Sequence, residues 1–209
     1  MPDTADRPIR RYVAWMVVAL LVVAADQATK WAIVEWVDLY GKVPINSFIN
    51  ITHQQNTGAA FSFLAGAGGW QRWFFVVLAT VVSVVIAVWL WRLRHEGPLV
   101  LMAGLSLVLG GAVGNLVDRV RLGYVTDFIQ VWFGNWAFPS FNVADSAISV
   151  GAALLIIDAL FLTVARQKKP GTSPGFLSPD RAGSCRLLIE PSSSNPVWDW
   201  SSACPAHRS

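Results

Sequence analysis

The feature that most constrains this chain is a set of four apolar stretches, each long enough to cross a lipid bilayer as a helix. A bilayer core about 30 Å thick requires roughly 20 apolar residues at the helical rise per residue. The stretches lie at residues 12–34, 73–91, 99–117 and 143–165, in a chain of 209 residues that is 54% apolar. The sequence therefore predicts an all-α polytopic membrane protein, with the four transmembrane helices in one domain at residues 1–169.

The first stretch could instead be a cleaved signal peptide, because three arginines precede it. No small-residue cleavage site follows it, however, and Asp26 and Lys30 interrupt its apolar run. A transmembrane helix is therefore the favoured interpretation.

The basic residues near the helix ends predict the orientation. Eight of them, at residues 7–11, 92–94 and 166–169, would lie on one side of the membrane. The other side has only Lys42, Arg72, Arg119 and Arg121. Because positive residues concentrate on the cytoplasmic side, both termini should be cytoplasmic and the two longer loops should face outward.

Both outer loops carry structural signals. Phe48–His53 is rich in β-branched and aromatic residues, and Asn56-Thr57-Gly58 has the composition of a turn, so a short extended element that returns through Ala59–Phe63 is expected. The third loop, Asp118–Asn142, mixes aromatic residues with charges, which is typical of a segment that lies along the membrane interface.

Residues 170–209 differ in composition, with six Pro, nine Ser and three Gly. Such a segment cannot bury enough apolar surface to offset its ordering entropy, and we expect a disordered cytoplasmic tail. Both cysteines, Cys185 and Cys204, lie in it, so the first 184 residues offer neither a disulfide nor a thiolate nucleophile. The net charge of +3 arises entirely from residues 166–209, and nothing in it indicates nucleic-acid binding.

Four acidic residues from separate stretches should meet near the outer membrane boundary. Asp26 lies about 21 Å into the first span from its cytoplasmic end. Asp118 ends the third span, Asp145 begins the fourth, and Asp127 lies in the loop between them. Because ionisable residues in a membrane are costly, each one is a candidate functional residue.

Structural roles compete with catalytic ones at two of these positions. Asp26 and Lys30 are spaced i, i+4 and should form an intrahelical ion pair, which favours a structural role. Asp118 precedes Arg119, and a carboxylate beside a fixed cation should stay ionised, which again favours a structural role.

The other acids are assigned differently. Asn142 should cap the fourth helix and leave Asp145 at its third position, where a carboxylate favours the helix dipole, so Asp145 is equally consistent with a structural and a catalytic role. Asp127 lies in the apolar context Val-Thr-Asp-Phe-Ile, which should raise its pKa by desolvation. Asp158 lies deeper, and the sequence indicates no role for it.

Paired carboxylates can hydrolyse a peptide bond. One stays protonated when two share a desolvated site, so the ionised partner acts as general base on a water and the other as general acid. The alternatives lack their motifs: His95-Glu96 starts a zinc-protease pattern that Leu99 breaks, and Gly104-Leu105-Ser106-Leu107 lacks the second glycine of a serine elbow. Three scattered histidines form no zinc site, and neither a metal nor a cofactor is implied.

Five short blocks resemble the signature motifs of lipoprotein signal peptidase (signal peptidase II), in the order and spacing of that family. They are Asp26-Gln27-Ala28-Thr29-Lys30, Asn56-Thr57-Gly58-Ala59-Ala60-Phe61-Ser62, Gly114-Asn115-Leu116-Val117-Asp118-Arg119, Val125-Thr126-Asp127-Phe128 and Phe141-Asn142-Val143-Ala144-Asp145-Ser146. The resemblance extends over residues 12–165. Residues 170–209 have no counterpart in the family pattern.

The resemblance implies a four-helix bacterial inner-membrane aspartyl endopeptidase with a small outer β-containing cradle. It implies cleavage of prolipoproteins just before a diacylglyceryl-modified cysteine, membrane lipids as neighbours, and a monomer. It also selects Asp127 and Asp145 as the catalytic pair. The supporting and substrate-orienting shell would comprise Asp26, Lys30, Asn56, Gly58, Asn115, Asp118, Arg119 and Asn142.

Composition alone is also consistent with two other classes of membrane protein. A small carrier or channel subunit could use Asp26, Asp118, Asp145 and Asp158 as a proton or cation relay. Such a relay needs a polar path through both membrane halves, and the inner half offers only Asp158. A non-catalytic membrane scaffold would need only the aromatic residues of the outer loops.

Overall fold

A computed structural model of the chain describes residues 6–58 and 69–162, all within one compact unit. The predicted return strand through Ala59–Phe63, the last residues of the fourth predicted helix (163–165) and the predicted tail at 170–209 lie outside the described residues.

Four helices dominate this part of the chain: α1 (Asp6–Trp36), α2 (Trp70–Arg92), α3 (Leu99–Arg121) and α4 (Val143–Ile157), which continues into a π-helical turn at Asp158–Leu162. Each is long and apolar enough to span a membrane, which confirms the four predicted spans. α3 continues past the predicted end at residue 117. It carries Asp118 and Arg119 because both find partners inside the protein.

α3 is the central helix, and the other three pack around it. In its most apolar window 56% of the residues are buried, against 11–17% in the other spans, whose outer faces expose Val, Leu, Ile and Phe side chains. Glycines allow this close packing. A Cβ atom added at Gly111 would lie 2.3 Å from the carbonyl oxygen of Ala144 in α4, and one at Gly110 would lie 2.7 Å from that of Ala19 in α1.

The loops form an antiparallel sheet of four strands in the order β1 (Lys42–Pro44), β2 (Ile49–Asn56), β3 (Val125–Phe133) and β4 (Trp136–Ala137). β2 matches the extended element expected in the first outer loop. The sequence of the third loop predicts no strand, yet this loop supplies β3 and β4. Pairing between β2 and β3, for example Gln54 with Asp127, joins segments about 70 residues apart, and such long-range pairing leaves little local signal.

The sheet lies at one end of the helix bundle. α1 leads into β1, α3 leads into β3, and α4 begins shortly after β4. We call this end the sheet side. The chain order therefore brings the C-terminal ends of α1 and α3, the start of α4 and the strand β3 together.

The glycine contact between α3 and α4 yields a test. Gly111→Ala should lower the free energy of unfolding by about 1–3 kcal/mol, because the added methyl group would overlap the backbone of α4. Thermal unfolding in detergent measures this change. Ala153→Val, which enlarges an exposed residue of α4, is the control and should change it by no more than about 0.5 kcal/mol. Equal effects of the two substitutions would contradict the packing role of Gly111.

Candidate active site

The start of α4 fixes the position of Asp145. Asn142 is the N-cap, and its Oδ1 accepts a hydrogen bond from the Asp145 backbone N–H at 2.9 Å. In return, the Asn142 backbone N–H donates to Asp145 Oδ2 at 3.3 Å. This reciprocal capping box confirms the predicted cap and places Asp145 at the third helical position.

Strand β3 presents Asp127 to the same asparagine. Asn142 Nδ2 donates to Asp127 Oδ1 at 2.7 Å, and Asn56 Nδ2 donates to Asp127 Oδ2 at 2.9 Å. Asn142 thus contacts both acidic residues, through its side-chain nitrogen in one case and its side-chain oxygen in the other. This shared contact connects the carboxylate of β3 with that of α4.

Asn115, on α3, completes the contacts around Asp145. Its Nδ2 donates to Asp145 Oδ1 at 2.8 Å. Its Oδ1 accepts from Lys30 Nζ at 2.9 Å and from Asn142 Nδ2 at 3.2 Å. Because a lysine ammonium can only donate, Lys30 fixes the orientation of the Asn115 amide and directs its nitrogen toward Asp145.

A cleft of about 880 Å³ opens beside the two carboxylates. Both Asp127 and Asp145 line it, together with Asn56, Asn115 and Arg119. Its remaining walls come from the end of β2, from the segment before α4, and from α4 residues such as Ser149 and Val150. The cleft is large enough for a short peptide segment or a comparable ligand.

The structure corrects the expected environment of Asp118. Its ionic partner is Lys30, with Nζ 2.8 Å from Oδ2, and not the adjacent Arg119. Successive residues of a helix point about 100° apart, so neighbours in sequence do not face each other. Arg119 instead donates from Nη2 to the carbonyl oxygen of Gly58 at 3.1 Å and lies over the Phe75 ring at 5.0 Å. Its Nε is buried and has no hydrogen-bond partner among the described residues.

The predicted Asp26–Lys30 pair is present, and it belongs to a larger group. Lys30 Nζ lies 2.8 Å from Asp26 Oδ2 as well as 2.8 Å from Asp118 Oδ2, and all three side chains are buried. Gln27, for which the sequence predicts no role, donates from Nε2 to Asp118 Oδ1 at 2.8 Å. The sequence contained a signal for this contact, because a side-chain amide inside an apolar span needs a hydrogen-bond partner within the protein.

The ten expected site residues form one connected network, through the contacts above and a bond from the Gly58 N–H to Asn56 Oδ1 at 3.0 Å. Asp158 lies apart from it. That residue is buried at the end of α4, about 20 Å along the helix axis from Asp145. Within residues 6–58 and 69–162, no three His, Cys, Asp or Glu side chains are grouped so that they could hold a metal ion.

Burial raises the pKa of Asp127 to about 7, and the nearby charge of Asp145 adds to the rise. Hydrogen bonds from Asn56 and Asn142 and the positive charge of Lys30 oppose it. The side chain is 3% exposed, so little water stabilises its charged form. Asp127 is therefore poised to hold or release a proton near neutral pH, as a general acid or base must.

Solved structures of similar fold are bacterial membrane enzymes. One, determined by the in meso method at 2.3 Å resolution, is 31% identical with a TM-score of 0.66, covering 77% of this chain and 94% of its own. A second, determined by the same method at 1.9 Å resolution, is 32% identical with a TM-score of 0.62, covering 71% and 93%.

The sequence comparisons identify the family. Residues 18–161 match the family described as signal peptidase (SPase) II. A lipoprotein signal peptidase of Acinetobacter baumannii is 48% identical over 154 residues, 74% of this chain and 87% of that protein. One of Pseudomonas syringae pv. tomato is 50% identical over 161 residues, 76% and 92% of the two chains. The chain belongs to the signal peptidase II family and is a protease of a bacterial membrane.

The raised pKa of Asp127 predicts a pH-dependent stability. Between the usual pKa of about 4 and the folded value of about 7, the folded state binds the extra proton. The free energy of unfolding should therefore fall as pH rises through this window and level off above it. Asp127→Asn, which cannot titrate, should lose less stability between pH 5 and pH 8 than the wild type. Parallel melting temperatures for the two proteins across this range would contradict the assignment.

Proposed function

We propose that this protein is an aspartyl endopeptidase that removes the signal peptide from diacylglyceryl-modified prolipoproteins, cleaving just before the lipidated cysteine. The family assignment and the names of the curated relatives support the substrate class. The observation that carries the catalytic proposal is that Asp127 and Asp145 share Asn142 and line one cleft.

Asp127 is the proposed general acid and Asp145 the general base. Asp127 is nearly fully buried, and its pKa of about 7 keeps it largely protonated below neutral pH. Asp145 is only half-buried, lies in the first turn of α4, and receives hydrogen bonds from Asn115 and from the Asn142 backbone. Helix N-termini favour negative charge, so this is the position better suited to the ionised partner.

The reaction needs these two groups and a water. Asp145 takes a proton from the water as the water oxygen attacks the scissile carbonyl carbon. At the same time Asp127 gives its proton to the carbonyl oxygen. In the second step Asp145 returns its proton to the leaving nitrogen and the C–N bond breaks. Asp127 regains its proton from the collapsing hydroxyl, so both residues end as they began.

The remaining site residues would orient the carboxylates and the substrate. Asn56, Asn115 and Asn142 donate to the two aspartates and limit their rotation. Arg119 lines the cleft, and its buried Nε–H has no hydrogen-bond acceptor among the described residues. The hydrogen bond from its Nη2 to the carbonyl oxygen of Gly58 keeps the guanidinium in place. A substrate carbonyl oxygen would complete the hydrogen bonding of this cation.

The substrate would arrive laterally from the lipid, held by its signal helix and its acyl chains. Confinement to the bilayer raises its effective concentration at the cleft. The lipid anchor would set the depth of the scissile bond, and small residues before the cysteine would fit beneath the sheet.

We further propose a monomer of the inner membrane with lipids as neighbours, a peptidase domain at residues 1–169 and a dispensable cytoplasmic tail at residues 170–209.

A relay function is less well supported. Among the buried carboxylates of the described residues, all but Asp158 lie toward the sheet side. A carrier would need polar groups through both halves of the membrane. The grouping at one end suits a reaction at one membrane boundary.

The catalytic proposal is tested with purified protein in detergent. Asp127→Asn and Asp145→Asn should each lower cleavage of a diacylglyceryl-modified prolipoprotein by at least about 10³-fold, because an amide cannot exchange protons in the reaction. Asp158→Asn is the matched buried control and should keep activity. An unmodified precursor should not be cut. Retention of more than a few per cent activity by either site variant would remove that residue from the pair.

The orientation is tested separately, with reporters fused to the full chain in cells. Fusions after Arg94 or at Lys169 should be cytoplasmic, whereas those inserted near Lys42 or Asn135 should be outside. The sheet side would then face the exported precursors. A cytoplasmic reporter at Asn135 would place the cleft on the wrong side for them.

A further inference from the structure

Asp26 holds the backbone just before one member of the proposed catalytic pair. Its Oδ1 accepts a hydrogen bond at 2.9 Å from the backbone N–H of Ala144, the residue that precedes Asp145. Ala144 is the second residue of α4, where a backbone N–H has no partner within its own helix. Asp26 is fully buried on α1, so it caps α4 from another helix.

Asp118 makes the corresponding contact to the other member. Its Oδ2 accepts at 3.3 Å from the backbone N–H of Thr126, the residue that precedes Asp127. Thr126 is 1% exposed, so its N–H has no access to water as an alternative partner. The two contacts are equivalent: each buried carboxylate holds the amide immediately before one proposed catalytic aspartate.

Lys30 joins the two contacts. Its Nζ lies 2.8 Å from a carboxylate oxygen of each of Asp26 and Asp118, and its side chain is 5% exposed. Gln27 holds the other oxygen of Asp118. A buried cation between two anions resists displacement of either one, because separation would leave an uncompensated charge in an apolar interior.

We propose that Asp26, Lys30 and Asp118 form a positioning triad that sets the separation and orientation of Asp127 and Asp145. This inference rests on the proposed catalytic pair. Backbone hydrogen bonds of Phe141 with Phe128 and Ile129 join the segment before α4 to β3. The triad adds contacts from α1 and α3 to the residues just before Asp145 and Asp127. Catalytic groups need placement to within about 0.5 Å, and the triad supplies it from the interior of the bundle.

The test compares Asp26→Ala with Asp26→Asn, measuring kcat, KM and melting temperature on the lipid-modified precursor. Asp26→Ala removes the acceptor for Ala144 but leaves Lys30 paired with Asp118, so the protein should fold. Its kcat should fall about 100-fold with KM changed less than about 2-fold, because the substrate still binds while the carboxylates are displaced. Asp26→Asn keeps an oxygen that can accept from Ala144, and its kcat should stay within about 10-fold of wild type.

Asp118→Ala tests the second contact and should show the same loss in kcat at unchanged KM. Asp158→Ala is the control, since it removes another buried carboxylate of a span and should leave kcat unchanged whatever it does to the melting temperature. Wild-type kcat in Asp26→Ala and Asp118→Ala would overturn the triad, and so would equal losses in Asp26→Asn and Asp26→Ala. If these variants were normal while Asp127→Asn and Asp145→Asn were inactive, the catalytic pair would stand without the triad.

Discussion

A carboxylate buried in a membrane-spanning bundle must find its hydrogen-bond donors and its counter-charge inside the protein. In this molecule Lys30 meets that requirement for two acidic residues at once, at 2.8 Å from each. The helices that carry these residues, α1 and α3, are thereby held in register at the sheet side. The backbone amides before Asp127 and Asp145 then take the remaining lone pairs of Asp118 and Asp26. The geometry of the candidate site follows from this one electrostatic requirement.

Close helix packing makes that arrangement possible. Gly114 lies next to Asp26, and a Cβ atom there would be 2.7 Å from its Oδ2. A larger residue would displace the carboxylate from Lys30. Glycines on the central helix therefore serve two purposes, since they bring backbones together and leave room for ion pairs between them.

The sheet contributes the second half of the site. β3 holds Asp127 in a buried position, and its pairing with β2 brings Asn56 within hydrogen-bond distance of that residue. The segment between α1 and α2 thus supplies a donor to a carboxylate some 70 residues further along the chain. The resulting environment raises the pKa of Asp127 chiefly by excluding water.

The sequence by itself determined the four spans, because hydrophobic length is a local property, and it determined the Asn142 cap and the Asp26–Lys30 pair, because both depend on spacing within one helix. Its motif blocks also identified the family. It did not reveal the strands of the third loop, the role of Gln27 or the true partner of Asp118. Each of these depends on contacts between segments distant in sequence, and adjacency along a helix misled in the case of Asp118 and Arg119. Only the tertiary structure decides which donor meets which acceptor, because in a dry interior each buried polar group takes whichever partner the packing brings within reach.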